Sequence, residues 1–287
     1  MAPPSDLRLQ TGMPACAALP LLAAPLLDEA VHCAERAAEN GDPELIHRFR
    51  VSLRQLRSLL WAYAPVLPDG AAALWRTRLG ALANVAGTAR EWSVLATELA
   101  PAMVPHDPAR ARAVLDRFEE QAERATDACR QALVAAEPAS VLSQLRATLA
   151  VWSATPAPSP PLGAFATARL RDAYRILRKR AAAPQTTAGA LHRTRIAVKR
   201  VHYLTMLFAP VLARPAERRV QSFKRLQLHL GRANDTATAI ALLRQTIPPL
   251  AGHRLQRRME RQLSRLHARN ETKARHTLAH IRKHLKL

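Results

Sequence analysis

The chain has 287 residues, is 48% hydrophobic and holds only 9 glycines, so it can bury a core but disfavours Gly-rich phosphate loops and turn-rich β architectures. Its formal net charge of +21 is unevenly placed: residues 1–161 carry 15 Lys+Arg against 17 Asp+Glu, and residues 162–287 carry 28 against 5. A net −2 beside a net +23 points to a polyanionic partner, because that much like charge otherwise only destabilises a fold.

In chain order, residues 1–19 are proline-containing and predicted to be loose. The apolar run at 15–27 is broken by Pro20 and Pro25 and lacks a basic start, which argues against a signal peptide. No long uncharged apolar segment of the kind that spans a bilayer is read, so no transmembrane segment is expected. A first repeat is predicted over 20–150, with helix breaks near Gly41–Pro43, Pro65–Gly70, Pro105–Pro108 and Pro138. Residues 151–161 hold Pro156, Pro158, Pro160 and Pro161 and read as a linker. A second repeat follows over 162–287, broken near Pro184–Gly189, Pro210–Pro215 and Pro248–Gly252. About four helices per half give an all-α chain of two helical bundles. Cys16, Cys33 and Cys129 have neither even count nor CxxC spacing and read as reduced thiols of a cytoplasmic protein.

Two motifs recur across the halves. "IHRFRVSLRQLRSLL" (46–60) aligns with "LHRTRIAVKRVHYLT" (191–205), so that His47, Arg50, Arg54 and Arg57 meet His192, Arg195, Lys199 and His202. "LANVAGTARE" (82–91) aligns with "LQLHLGRAND" (226–235), pairing Gly87 with Gly231 and Glu91 with Asp235. The same order at nearly the same offset marks a tandem repeat.

At 100° per residue, His47, Arg50, Arg54 and Arg57 form a stripe about 80° wide, beside a core face of Phe49, Leu53, Leu56 and Leu60. The second copy repeats the pattern with Val198 and Val201 on its core side. A basic helix stripe is ordinarily a solvated face, and carboxylate pairing is the other ordinary fate. Five carboxylates cannot neutralise 28 cations, and recurrence at one angular position favours a binding surface. Nucleic acid, an anionic membrane and inorganic polyphosphate all satisfy the charge.

These residues resemble a family. HxxRVxxRxLR in the first copy and HxxRIxxKRxxY in the second, each followed by a Gly-containing turn and an acidic residue, are similar to the CHAD domain, the conserved histidine α-helical domain. The resemblance implies two four-helix bundles related by a pseudo-twofold axis, with basic helices lining a central groove or pore. It implies non-catalytic binding of long-chain inorganic polyphosphate and association with polyphosphate or polyhydroxybutyrate granules in the cytoplasm. Carried over by position, the polyphosphate-facing residues are His47, Arg50, Arg54, Arg57, His192, Arg195, Lys199, His202 and Lys224. His202 stands where the family has arginine, and Gly80 stands opposite Lys224, a lost cation. Arg90 and Glu91 read as a structural pair holding the turn, and Arg225 as solvated. No triphosphatase domain of the CYTH type is read in the sequence.

Other readings stay open. A general nucleic-acid binder explains the charge, and weak binding at low salt is expected of any such chain. Low aromatic content (4%) gives few platforms for base stacking. A phosphoryl-transfer or metal enzyme built on His47 and His192 lacks a nearby carboxylate cluster, an HExxH and a P-loop, so no catalytic residue, cofactor or metal is assigned. Arg254, Arg257, Arg258, Arg261 and Arg265 share one stripe near the C-terminus, read either as a solvated face or as an outer polyanion track or granule contact.

Overall fold

A computed structural model describes residues 9–104, 107–154, 158–183, 188–212, 217–245 and 253–284, with the side chains of 188, 217–224 and 280–284 outside the description. Among the described residues every regular element is helical, apart from one isolated antiparallel bridge between Pro14 and Pro161. The chain runs α1 (Ala15–Asn40), α2 (Pro43–Tyr63), α3 (Ala71–Val85), α4 (Gly87–Val94), α5 (Pro108–Ala136), α6 (Pro138–Ala154), α7 (Leu162–Ala182), α8 (Ala188–Leu207), α9 (Glu217–Gln245) and α10 (His253–His284). One π turn, Leu95–Leu99, prolongs α4.

The breaks are local chemistry. Gly41 ends α1 in the left-handed region (φ 69°), and a Cβ there would meet Thr126 Cγ2 at 2.6 Å, so the turn requires glycine for both reasons. Asp42 then caps α2, accepting from the Glu44 N–H at 2.8 Å, with Pro43 at the first helical position. Asp107 caps α5 in the same way, at 3.1 Å from the Ala109 N–H.

Three sequence expectations change. The expected loose segment 1–19 is ordered from residue 9, and α1 starts at Ala15; residues 1–8 lie outside the described part. The reason is pairing with the expected linker. The Ala15 N–H donates to Pro160 O (2.9 Å), Leu162 N–H to Met13 O (2.8 Å) and Cys16 N–H to Ser159 Oγ (3.0 Å). Since α1 and α7 begin after prolines that offer no side-chain cap, these crossed bonds satisfy helix-start N–H groups in both halves. Second, α6 runs on through Ala154, four residues into the expected linker, and packs on α1. Third, Pro20 and Pro25 lie inside α1 instead of ending its apolar run. That helix is long and apolar enough to cross a membrane, but Leu19, Leu22, Ala23, Leu27 and Ala30 are buried against the rest of the fold. Packing of this face outweighs the cost of two interior prolines.

The core is continuous across both halves. Phe49, Leu53, Leu56 and Leu60 of α2 join Val198, Val201 and Leu204 of α8 in one apolar cluster. Phe165 of α7 packs against Tyr63 with tilted rings at 4.6 Å and meets Phe208 edge-on at 6.2 Å. A smaller second cluster forms where Trp92, Leu95 and Phe118 meet Leu243, Met259 and Leu263. α2 packs against α8 and α4 against α9, an arrangement compatible with the tandem repeat read from the sequence. With their core faces fixed, α2 and α8 bring their basic stripes together.

Candidate functional site

A cavity of about 1140 Å³ opens beside the α2–α8 crossing. From α2 it takes His47, Arg50 and Arg54, and from α8 Arg195, Lys199 and His202. α4 adds Arg90 and Glu91, while α9 adds Gln227, Gly231, Arg232 and Asp235. Leu22, Val51, Met206 and Leu207 give the wall an apolar component.

One of these cations is fixed by the backbone, and others are buried with donors left over. Arg50 Nη1 donates to Ala83 O at 2.8 Å and lies over Gly87, where a Cβ would stand 3.2 Å from it. The bare helix surface at Gly87 gives that guanidinium room. Gly231, its counterpart, has nothing within 4 Å of a built Cβ and leaves the opposite wall open. Arg54 Nε, Arg195 Nε and Gln227 Nε2 are buried donors with no acceptor among the described residues. Buried donors are normally paired, so three such groups around one cavity mark a place for acceptor oxygens.

Electrostatics agree with the geometry. Lys199 is pushed from 10.5 down to about 6, first by burial and then by the Arg54 and Arg195 charges. Burial likewise lowers Arg50, with Arg54 beside it, and Arg195, where Asp235 opposes the shift. His47 falls below the usual imidazole range through burial, Arg90 and Arg54. Glu91 is raised by burial and by Asp235, against the pull of Arg50. The wall as a whole carries seven Arg and Lys side chains and five carboxylates, Glu29, Glu44, Glu91, Glu98 and Asp235, and its cations crowd together where Arg50, Arg54, Arg195 and Lys199 meet.

The carried-over residues divide. His47, Arg50, Arg54, Arg195, Lys199 and His202 share the cavity. Arg57 does not line it: its guanidinium lies across α3, 3.5 Å from where a Gly80 Cβ would stand, with Arg76 nearby. Gly80, read as a lost cation, makes room for that side chain. His192 is exposed and also lies off the cavity wall. The Lys224 side chain falls outside the described residues, and Arg225 is exposed.

The Arg90–Glu91 reading needs correction. Arg90 pairs with Glu98 at 3.3 Å, whereas Glu91 faces Arg50 and Asp235 on the cavity wall. Sequence reasoning missed Arg90, Glu91, Gln227, Arg232 and Asp235 as wall residues. For Glu91 and Asp235 the signal was available, since they recur between the 82–91 and 226–235 motifs, whereas Arg90, Gln227 and Arg232 stand opposite Asn234, Ala83 and Thr88 and do not recur. Among the described residues, no three His, Cys, Asp or Glu side chains cluster as a metal ion needs.

The helical fold and the paired basic motifs belong to a known class, and the CHAD domain profile matches residues 22–244. The chain belongs to the CHAD domain family. Among solved structures it is similar to the CHAD domain from the plant Ricinus communis, with a TM-score of 0.79, 24% identity, and 97% of this chain and 96% of that one covered. It is also similar to PptA from Streptomyces chartreusis, with a TM-score of 0.64, 16% identity, and 92% and 99% covered. At these identities the likeness speaks for the fold. No curated protein matches the chain.

Proposed function

We propose that the cavity binds long-chain inorganic polyphosphate without turning it over. The observation that carries this reading is the pair of buried, unpartnered guanidinium Nε donors of Arg54 and Arg195, set beside Lys199 between the two stripes. Each phosphate of the chain offers a charge and several acceptor oxygens, which suit guanidinium forks. A thin flexible polyanion fits a recess between helices that a duplex is too wide to enter. By this reading the protein is a cytoplasmic binding module, and polyphosphate is what carries it to granules.

The test is competition at raised salt. Delocalised attraction between a basic protein and any nucleic acid falls steeply with ionic strength, while short oriented hydrogen bonds in a recess persist. Near physiological salt, labelled polyphosphate is expected to stay bound and to displace DNA and RNA at comparable phosphate concentration. RNA retained as well as polyphosphate, or outcompeting it, moves the function to nucleic-acid binding.

A further inference from the structure

The last helix carries cations that the cavity does not use. Arg254, Arg258, Arg261, Arg265, Arg269 and Lys273 are all exposed and fall on one side of α10, at spacings of three or four residues. At 1.5 Å per residue the row is about 29 Å long. Among the described residues none of the six has a carboxylate partner. Glu260 pairs with Arg244 at 3.5 Å, and Glu271 with Arg275 at 3.0 Å and His267 at 3.4 Å, all off the row. The opposite face, with Met259, Leu263, Ala274 and Leu278, is buried. The helix also lies beyond residue 244, where the match to the family ends.

The row leads back to the cavity. α10 packs antiparallel on α9: Gln256 Nε2 donates to Leu243 O at 2.7 Å, and His267 Nδ1 lies 2.9 Å from Ala233 O. That register sets Arg269 and Lys273 alongside Gln227 and Gly231, which line the cavity. Arg232, itself exposed on the cavity wall, and Lys273 both act on the His229 ring between them. The α9–α10 register thus brings the Lys273 end of the row near the cavity wall at Arg232, with the Arg254 end pointing away from it.

We propose that the outward face of α10 is a second polyphosphate track, engaged only by chains long enough to extend beyond the cavity. The proposal rests on the polyphosphate reading of the cavity. A membrane is disfavoured because, among the described side chains of α10, the only exposed large apolar residue is Leu266, at 38%. Polyphosphate is favoured over a nucleic acid because one thin chain can occupy recess and track together. Once its middle is held in the cavity, its contact with α10 becomes intramolecular and gains from effective concentration. The track thereby makes the protein selective for long chains.

The experiment compares tripolyphosphate, long-chain polyphosphate and duplex DNA, titrated against the full chain near physiological salt. The variants are Arg258→Glu/Arg261→Glu/Arg265→Glu, the milder Arg258→Gln/Arg261→Gln/Arg265→Gln, and a control reversing Arg171, Arg175 and Arg178, which are exposed on α7. Three surface charges suggest a loss of about tenfold for long-chain polyphosphate in the first variant, less in the second, and no change for tripolyphosphate. Unchanged long-chain affinity overturns the track. So does an equal loss from the α7 control, which means that only net charge matters. Loss of duplex DNA alone makes α10 a nucleic-acid surface instead. Failure of the unaltered protein to bind either phosphate overturns the cavity reading, and the track with it.

Discussion

Polyphosphate binding in the cavity should take up a proton through Lys199. In the free protein burial and the Arg54 and Arg195 charges hold its pKa down to about 6, so at pH 7.5 the amine is mostly neutral. Phosphate oxygens arriving in the cavity supply the opposite charge and favour the protonated form. The sign follows: the bound state holds a proton that the free state has released. Binding is therefore strongest below pH 6 and weakens as pH rises from about 6 towards the bound-state value. The limiting slope is tenfold per pH unit. His47, also depressed by burial, adds slope only at the acid end. Isothermal titration calorimetry in buffers of different ionisation enthalpy reads the uptake directly, with a positive value of up to one proton at pH 7.5. Lys199→Arg keeps its charge throughout and should bind with a flat profile between pH 7 and 8. An affinity independent of pH from 6 to 8, or a Lys199→Arg profile as steep as the wild type, refutes the reasoning.

Folding carries the reverse sign. Because the folded protein depresses Lys199 below its unfolded value, this residue's contribution to stability is greatest above about 10.5 and is lost as pH falls towards 6. Lys199→Met should thus raise stability by about 1–4 kcal/mol in denaturant titrations at pH 6 without ligand, while weakening polyphosphate binding. Arg50→Ala should cost about 1.5–3 kcal/mol of binding, roughly tenfold or more, while exposed Arg225→Ala changes little in the same titration. Gly87→Ala presses on the Arg50 guanidinium and should weaken binding several-fold, whereas Gly231→Ala meets open space and should leave the fold intact, as circular dichroism will read. Phe165→Ala removes the ring between Tyr63 and Phe208 and should cost about 3–5 kcal/mol in urea unfolding.

Much of this was legible in the sequence because helices leave a strong trace. Proline and glycine punctuation at Gly41–Pro43 and at Pro108 marks real helix boundaries, since caps and positive φ are local chemistry. Order in residues 9–14 was not legible, because it comes from hydrogen bonds to residues about 150 positions away. The interior prolines of α1 misled for the same reason: burial of its leucines and alanines is tertiary and overrides a local penalty. The site divides along similar lines. A helical wheel places Arg57 and His192 on their stripes correctly, but a stripe has no knowledge of where the neighbouring helix crosses it. His47 near the start of α2 and His202 near the end of α8 reach one cavity, while Arg57 and His192, at the other ends, do not. Glu91 and Asp235 were visible as a repeated pair, yet their position against Arg50 and Arg195 depends on how α4 and α9 pack.

The central claim concerns Arg54 and Arg195, whose buried Nε donors find no acceptor within the described protein. Its most direct test is equilibrium titration of long-chain polyphosphate into the full chain and into Arg54→Ala/Arg195→Ala, near physiological salt, with thermal unfolding followed in parallel. Two lost charge-assisted contacts predict a fall in affinity of about a hundredfold or more, with folding retained. Binding of the double variant at wild-type strength contradicts the account and leaves the cavity without its ligand.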